Sequence, residues 1–238
     1  MSKKIESAPY WSVDGLLLGA QTVLPALPGM LAFGVAVGAA TATKGFTFLE
    51  AILMSGFVYA GMSQMVALEV WPAEITASAL AGLALIAATV NARLLLLGAS
   101  LRPWFGPLPA WQVYPLLHLL AEPNWLIAMR YRSEGGSDAS IFLGSALVIL
   151  VAWLGSTAAG HLLGALVTNP QAIGLDTVMP VFFVAMLVPL WRGATRAIPW
   201  IVAGAVALIV QYLAGGWWYI VAGSLAGSIA GGFIDDGE

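Results

Sequence analysis

Cysteine is absent from the 238-residue chain, which removes disulfides, thiol nucleophiles and cysteine-ligated metal centres. Charge is scarce as well: Asp, Glu, Lys and Arg make up 9% of the residues, against about 25% in an average soluble domain. So few charges cannot coat a water-facing surface. The net charge is -3 and the basic residues are scattered, so the electrostatic footprint of a nucleic-acid binder is missing and no nucleic-acid partner is expected. Histidine occurs twice, at His118 and His161, and no spacing of His, Asp and Glu makes a metal site, so no metal or other cofactor is expected. A nucleophile elbow and a phosphate-binding loop are also lacking, and the chain does not read as an enzyme.

What the chain has is apolar material, 60% of its residues, and lipid must be the solvent for most of such a surface. Apolar stretches fall at 13–43, 48–70, 75–97, 113–129, 141–167, 177–191, 198–213 and 217–233. Most are near the roughly 20 residues that span a ~30 Å hydrocarbon core. The expected fold is all-α: a polytopic integral membrane helix bundle of about seven to eight membrane segments, some of them broken or re-entrant. Residues 1–12 read as a cytoplasmic N-terminal segment carrying Lys3, Lys4 and Glu6, residues 13–233 as one transmembrane transporter domain, and 234–238 as an acidic tail. A first helix that is retained, not cleaved as a signal peptide, is expected.

Lys and Arg mark the cytoplasmic side of membrane helices. Lys3 and Lys4, Lys44, Arg102, Arg130 with Arg132, and Arg192 with Arg196 mark one set of ends, whereas the connections at 71–74, 168–176 and 214–216 hold no cation. If all eight stretches span, both termini are cytoplasmic and only Lys44 and Arg102 lie on the wrong side. If the first and fourth stretches are re-entrant hairpins, every one of these cations becomes cytoplasmic. Those two stretches carry helix breakers: Pro25, Pro28 and Gly29 in the first, Pro115 and Pro123 in the fourth. Proline removes a backbone donor and clashes with the preceding turn, so the two read either as ordinary kinks or as interrupted segments framing a binding site. On the eight-span reading each triplet of stretches opens with its broken member, the layout of a 3+3 inverted repeat.

Arg93 follows Asn91 and Ala92 within an apolar run. An arginine at mid-bilayer costs at least about 2.5 to 3.5 kcal/mol and normally faces a cavity or an acidic partner. Its guanidinium could grip a carboxylate through two parallel hydrogen bonds. The alternative is an Arg93 near its helix end that snorkels to the interface. Tyr59, Gly61, Ser63 and Gln64 place polar groups and a gap inside another apolar stretch; they serve either as interhelical glue or as lining of a substrate path. His118 and Glu122 share a face if their segment is helical. A carboxylate desolvated there is a candidate proton carrier, unless it sits solvated in a watery pocket. His161 reads as a packing or hydrogen-bonding residue. Gly223, Gly227 and Gly231 form a flat strip for close helix packing, within the chain or against a partner, and the pairs Gly15 with Gly19, Gly34 with Gly38, and Gly160 with Gly164 form shorter ones.

At these residues the chain resembles the AzlC family, the large subunit of bacterial branched-chain amino acid exporters. The resemblance is carried by Leu27-Pro28-Gly29-Met30-Leu31-Ala32-Phe33-Gly34, by Tyr59-Ala60-Gly61-Met62-Ser63-Gln64, and by Asn91-Ala92-Arg93 leading to Gly98-Ala99-Ser100-Leu101. The C-terminal half is similar mainly in layout. Two departures stand out: Leu94 takes the place of a histidine after the arginine, and Ala121-Glu122-Pro123 replaces a motif like Thr-Asp-Glu. The resemblance implies a multi-pass protein of the bacterial inner membrane that exports valine, leucine or isoleucine on the proton gradient, with a small membrane subunit resembling AzlD as partner.

The expectation is thus a proton-coupled secondary transporter of branched-chain or related small amino acids, with its N-terminus cytoplasmic. Substrate would be bound by Arg93, Asn91, Ser63, Gln64, Tyr59, Pro28, Gly29 and Phe33, with Met62 and Met65 adding apolar wall. Glu122 and His118 would handle the proton, and Gly223, Gly227 and Gly231 would dock the partner. A rival expectation is a membrane scaffold or sensor subunit that moves no solute. A channel would need a continuous ring of polar or charged side chains, for which the chain has too few unless it oligomerises.

Overall fold

The computed structural model describes residues 11–166, Val184, Gly193 and 197–233. The terminal segments 1–10 and 234–238, the stretch 177–191 apart from Val184, and the cations Arg192 and Arg196 lie outside the described residues. Every regular element among those described is helical. Three runs are long and apolar enough to cross a membrane: Val13–Thr43, Ala77–Phe105 and Ser140–Ala165. The chain divides into two compact units, residues 1–61 with 92–168, and residues 62–91 with 169–238. The long helix α5 (Ala77–Phe105) contributes its first half to one and its second half to the other.

In the first unit, α1 (Val13–Thr22), a 3-10 turn (Leu24–Ala26) and α2 (Leu27–Thr43) form one nearly continuous run. The prolines do not fold it into a hairpin. Pro25 and Pro28 each sit in the first turn of their own element, where the missing N–H has no intrahelical acceptor to lose. The run packs along α8 (Ser140–Ala165) through glycines on both sides. Gly19 meets the Ile141 carbonyl and Gly144 meets that of Leu16; Gly38 meets the Thr157 carbonyl and Gly160 that of Val35. Contact positions rise together along both partners, so the two run parallel. The re-entrant hairpin considered for the first stretch is therefore replaced by a straight segment side by side with α8. Without a hydrophobic drive in lipid, such backbone approach, with weak Cα–H···O contacts, holds helices together.

A polar clamp fixes the common end of this pair. Ser12 caps α1 by accepting from the Gly15 N–H at 2.8 Å, and its own N–H donates to Ser140 Oγ at 2.8 Å. Its hydroxyl donates to Asp138, whose other oxygen accepts from the Ser140 N–H at 2.8 Å. Near by, an apolar core closes around Trp104, Phe105, Leu116, Leu120 and Phe142, with Phe105 edge-on to Phe142 at 5.2 Å.

The stretch 48–70, expected as one span, is two helices. α3 (Phe48–Val58) begins at a capping box of Thr47 and Glu50 and ends at Tyr59, whose φ of 45° and ψ of 35° are left-handed. α4 (Gly61–Glu69) follows at once. A left-handed non-glycine residue costs roughly 1–2 kcal/mol, so surrounding contacts must hold Tyr59 there. The fourth stretch is divided too, into α6 (Ala110–His118) and α7 (Glu122–Ser133). The chain thus interrupts its second and fourth stretches, not its first and fourth.

The second unit contains α9 (Ile198–Ala214) and α10 (Trp218–Gly232), joined by Gly215 and Gly216, both with positive φ. Gly223 packs on Ala203 and Ala207, and Gly227 on Ala203 and Pro199, which makes the pair antiparallel. α9 has no buried residue, and Ile201, Leu208, Tyr212 and Leu213 are exposed on it. Such an apolar exterior suits lipid contact.

Candidate functional site

The geometry gathers at the two interruptions, both in the first unit. Arg93 lies 12 residues before the C-terminal end of α5, about 18 Å by helical rise. Its Nη1 donates to Oε1 of Glu122, forming an ion pair with side chains 39% and 50% exposed. The Nε of Arg93 is buried and has no acceptor. Glu122 is the first residue of α7, where its charge also faces the positive end of the helix dipole.

Asn124 builds this interruption. Fully buried, it accepts from the Ala121 N–H through Oδ1 at 2.9 Å and donates through Nδ2 to the Leu119 carbonyl at 2.7 Å. The amide satisfies a backbone donor and acceptor that no helix serves. The break falls between His118 and Glu122, so the expected shared helical face does not form.

His118, the last residue of α6, turns to the other interruption. Its Nε2 lies 3.1 Å from the Gly56 carbonyl on α3. Because a carbonyl only accepts, Nε2 carries the proton. The imidazole also faces the Tyr59 ring, with centroids 6.0 Å apart at 32°. One histidine therefore joins the end of α3 to the end of α6. Just past Tyr59, Gly61 is closed over by Trp153 and Phe33, which meet edge-on at 5.5 Å. The Tyr59 hydroxyl, Trp153 Nε1 and Thr157 Oγ1 are buried without hydrogen-bond partners.

The remaining expected residues make contacts of their own. Asn91 donates to Ser63 at 3.1 Å within the second unit, beside buried Gln64, the arrangement of interhelical glue. Pro28 and Gly29 form the exposed first turn of α2, with open space around Gly29. Gly223 and Gly227 are filled from within the chain by α9. His161 is buried and bonded through Nδ1 to Thr41 at 2.9 Å; since Thr41 gives its one proton to the Gly38 carbonyl at 2.6 Å, Nδ1 of His161 is the donor.

Sequence reasoning missed Trp153 and Gly56, and it took Asn124 only as a polar neighbour of Pro123, not as a site residue. For Trp153 the signal was an indole N–H in the middle of an apolar run, a group that needs a partner when buried. For Asn124 it was an amide placed directly after Glu-Pro. Gly56 acts only through its backbone and left no trace in composition.

The AzlC protein family model matches residues 25–167. Two curated relatives from Helicobacter pylori, strains ATCC 700392 / 26695 and J99 / ATCC 700824, are both described as uncharacterized membrane proteins. They are 25% identical to this chain over 171 and 169 residues, covering 71% of it and 73% and 72% of themselves. No solved structure matches.

Proposed function

The chain belongs to the AzlC family, which gives it a transport-related role in a membrane, and we propose that it is a secondary transporter exporting branched-chain or related small amino acids with proton coupling. The observation that carries this reading is the setting of Arg93: deep within a long apolar helix, paired with Glu122 at the α6–α7 interruption, with a buried Nε in need of an acceptor. Interrupted helices near mid-membrane are where transporters bind solute. Arg93 receives the substrate carboxylate, and Glu122 carries the coupling proton. Phe33 and Trp153, closing on Gly61, supply an apolar wall that favours an aliphatic side chain.

The inner membrane, a cytoplasmic N-terminus and a small subunit resembling AzlD belong to the same proposal. We assign that subunit a docking face other than Gly223 and Gly227, which α9 already covers. The test is counterflow in proteoliposomes with a panel of amino acids, with and without a pH gradient. Valine, leucine and isoleucine should exchange, and Arg93→Ala inserted at normal level should lower the rate at least tenfold. An unchanged rate in Arg93→Ala ends the carboxylate-binding account.

A further inference from the structure

The second half of α5 and α6 enclose a groove of about 670 Å³ within the first unit, a size that holds a small ligand. Its floor is core, since Phe105 and Leu120 line it and are buried. Its walls are not: Leu95 and Tyr114 line it and are exposed. The groove therefore opens outward on the flank of a helix long and apolar enough to cross a membrane, where the surrounding medium is lipid. The α5 wall runs from Leu94 to Arg102, about 12 Å by helical rise, room for much of an extended hydrocarbon chain.

The lining is nearly all carbon, with one charged residue. Arg102, in the last turn of α5, borders the groove. The sequence holds no Asp or Glu from Ile75 to Ala121, and the two ion pairs among the described residues use Arg93 and Arg130. A guanidinium so placed lays its stem along apolar surface and keeps its head at the polar boundary, where it can take a phosphate through two parallel hydrogen bonds. We propose that the groove seats one acyl chain of an anionic phospholipid, with Arg102 on its phosphate.

The lack of carboxylates selects the headgroup. The ammonium of a zwitterionic lipid meets a cation here and no anion, whereas a headgroup carrying only negative charge meets its complement. A glycerol headgroup gains a second partner. Pro103, inside α5, brings no N–H to the carbonyl of Ala99, which lines the groove one turn before Arg102, and a headgroup hydroxyl can donate to it. Exposed Trp111 and Tyr114 on α6 suit the same level, where aromatic side chains gather at membrane surfaces. By contrast α9 is also exposed but carries no charge, so it offers lipid no headgroup contact of this kind.

The seat lies next to the residues described above. Leu94 follows Arg93, and Leu117 and Leu120 stand on either side of His118, so a lipid in the groove braces α6 against α5 beside the α6–α7 interruption. This holds whatever solute the chain moves.

The test reconstitutes the full chain in nanodiscs of equal parts dioleoyl phosphatidylglycerol and dioleoyl phosphatidylcholine and counts, by native mass spectrometry, the lipids that stay bound. The wild type should keep one lipid, with phosphatidylglycerol favoured by about fivefold or more. Arg102→Ala should bring that preference near parity, and Arg102→Lys should restore part of it. Arg130→Ala removes an exposed cation outside the groove and should leave the preference as it is. Ala99→Phe, which fills the groove from α5, should retain neither lipid. Equal retention of both lipids by the wild type overturns the proposal, as does an equal loss of preference in Arg102→Ala and Arg130→Ala. A dimer that Ala99→Phe dissolves without any change in bound lipid overturns it too, and assigns the groove to a second copy of the chain.

Discussion

Alanine at Gly144 should destabilise the first unit, and the contact geometry gives the size of the effect. A Cβ at this position would lie 2.7 Å from the carbonyl carbon of Leu16 and nearer still to its oxygen, whereas ordinary contact begins at 3.4 Å. Both neighbours are backbone, so neither can swing aside, and α1 and α8 must separate. Overpacking of this kind costs about 1–3 kcal/mol, and the close Cα–H···O approaches at Gly144 and Gly19, worth about 0.5–1 kcal/mol each, are lost with it. A total of about 2–5 kcal/mol is expected, a fall of very roughly 4–20 °C in melting temperature for a chain of this size. Gly155 supplies the control on the same helix: nothing lies within 4 Å of a Cβ there, so Gly155→Ala should match or slightly exceed the wild type. The assay is thermal unfolding in detergent, followed by tryptophan fluorescence. Equal melting of Gly144→Ala and Gly155→Ala would refute the reasoning, because it would mean that α1 and α8 do not meet backbone to backbone.

Three further expectations concern the interruptions. Asn124→Ala leaves the Ala121 N–H and the Leu119 carbonyl without their partner and should cost about 1–3 kcal/mol in the same melting assay; Asn124→Asp, which keeps only the acceptor, should fall between. Tyr59→Phe removes a buried hydroxyl that has no partner, so stability should hold or rise by up to about 1 kcal/mol. Counterflow affinity should nevertheless drop several-fold if that hydroxyl serves the ligand, and a variant with unchanged affinity would limit Tyr59 to a structural part. His118→Gln should keep more activity than His118→Ala, since an amide can still donate to the Gly56 carbonyl, and equal loss in both would show that the imidazole does more than join the two ends.

The membrane class was legible because it depends on totals: too few charges and long apolar runs admit no other solvent. Glycine spacing was legible for the same local reason, since Gly15 with Gly19, Gly34 with Gly38, and Gly160 with Gly164 need only a helix to fall on one face. Their partners were not legible, because spacing does not say which strip meets which. Proline misled in the first stretch: Pro25 and Pro28 occupy first turns, where they initiate helix and do not end it. Tyr59 misled in the other direction. Nothing in an aromatic residue announces a left-handed backbone, which tertiary contacts impose against its own preference. Arg93 and Glu122 were each singled out as chemically expensive in lipid, but their pairing joins residues 29 apart through a break that only Asn124 creates.

The shared heading of Val13–Thr43 and Ser140–Ala165 also constrains everything between them by simple parity. With both as crossings, the chain stands on one side of the bilayer at Lys44 and must be back on the opposite side by Asp138, which is clamped to Ser12. An odd number of traverses is therefore required over residues 44–138. With α5, which is also long and apolar enough to cross, counted as one of them, the two fractured elements, α3–α4 and α6–α7, have a joint fate: both go through or both turn back. A chain with no native thiol is already suited to deciding which, since one cysteine introduced at Ala73 would be reached by an impermeant reagent from the Lys44 side in the latter case and from the other side in the former.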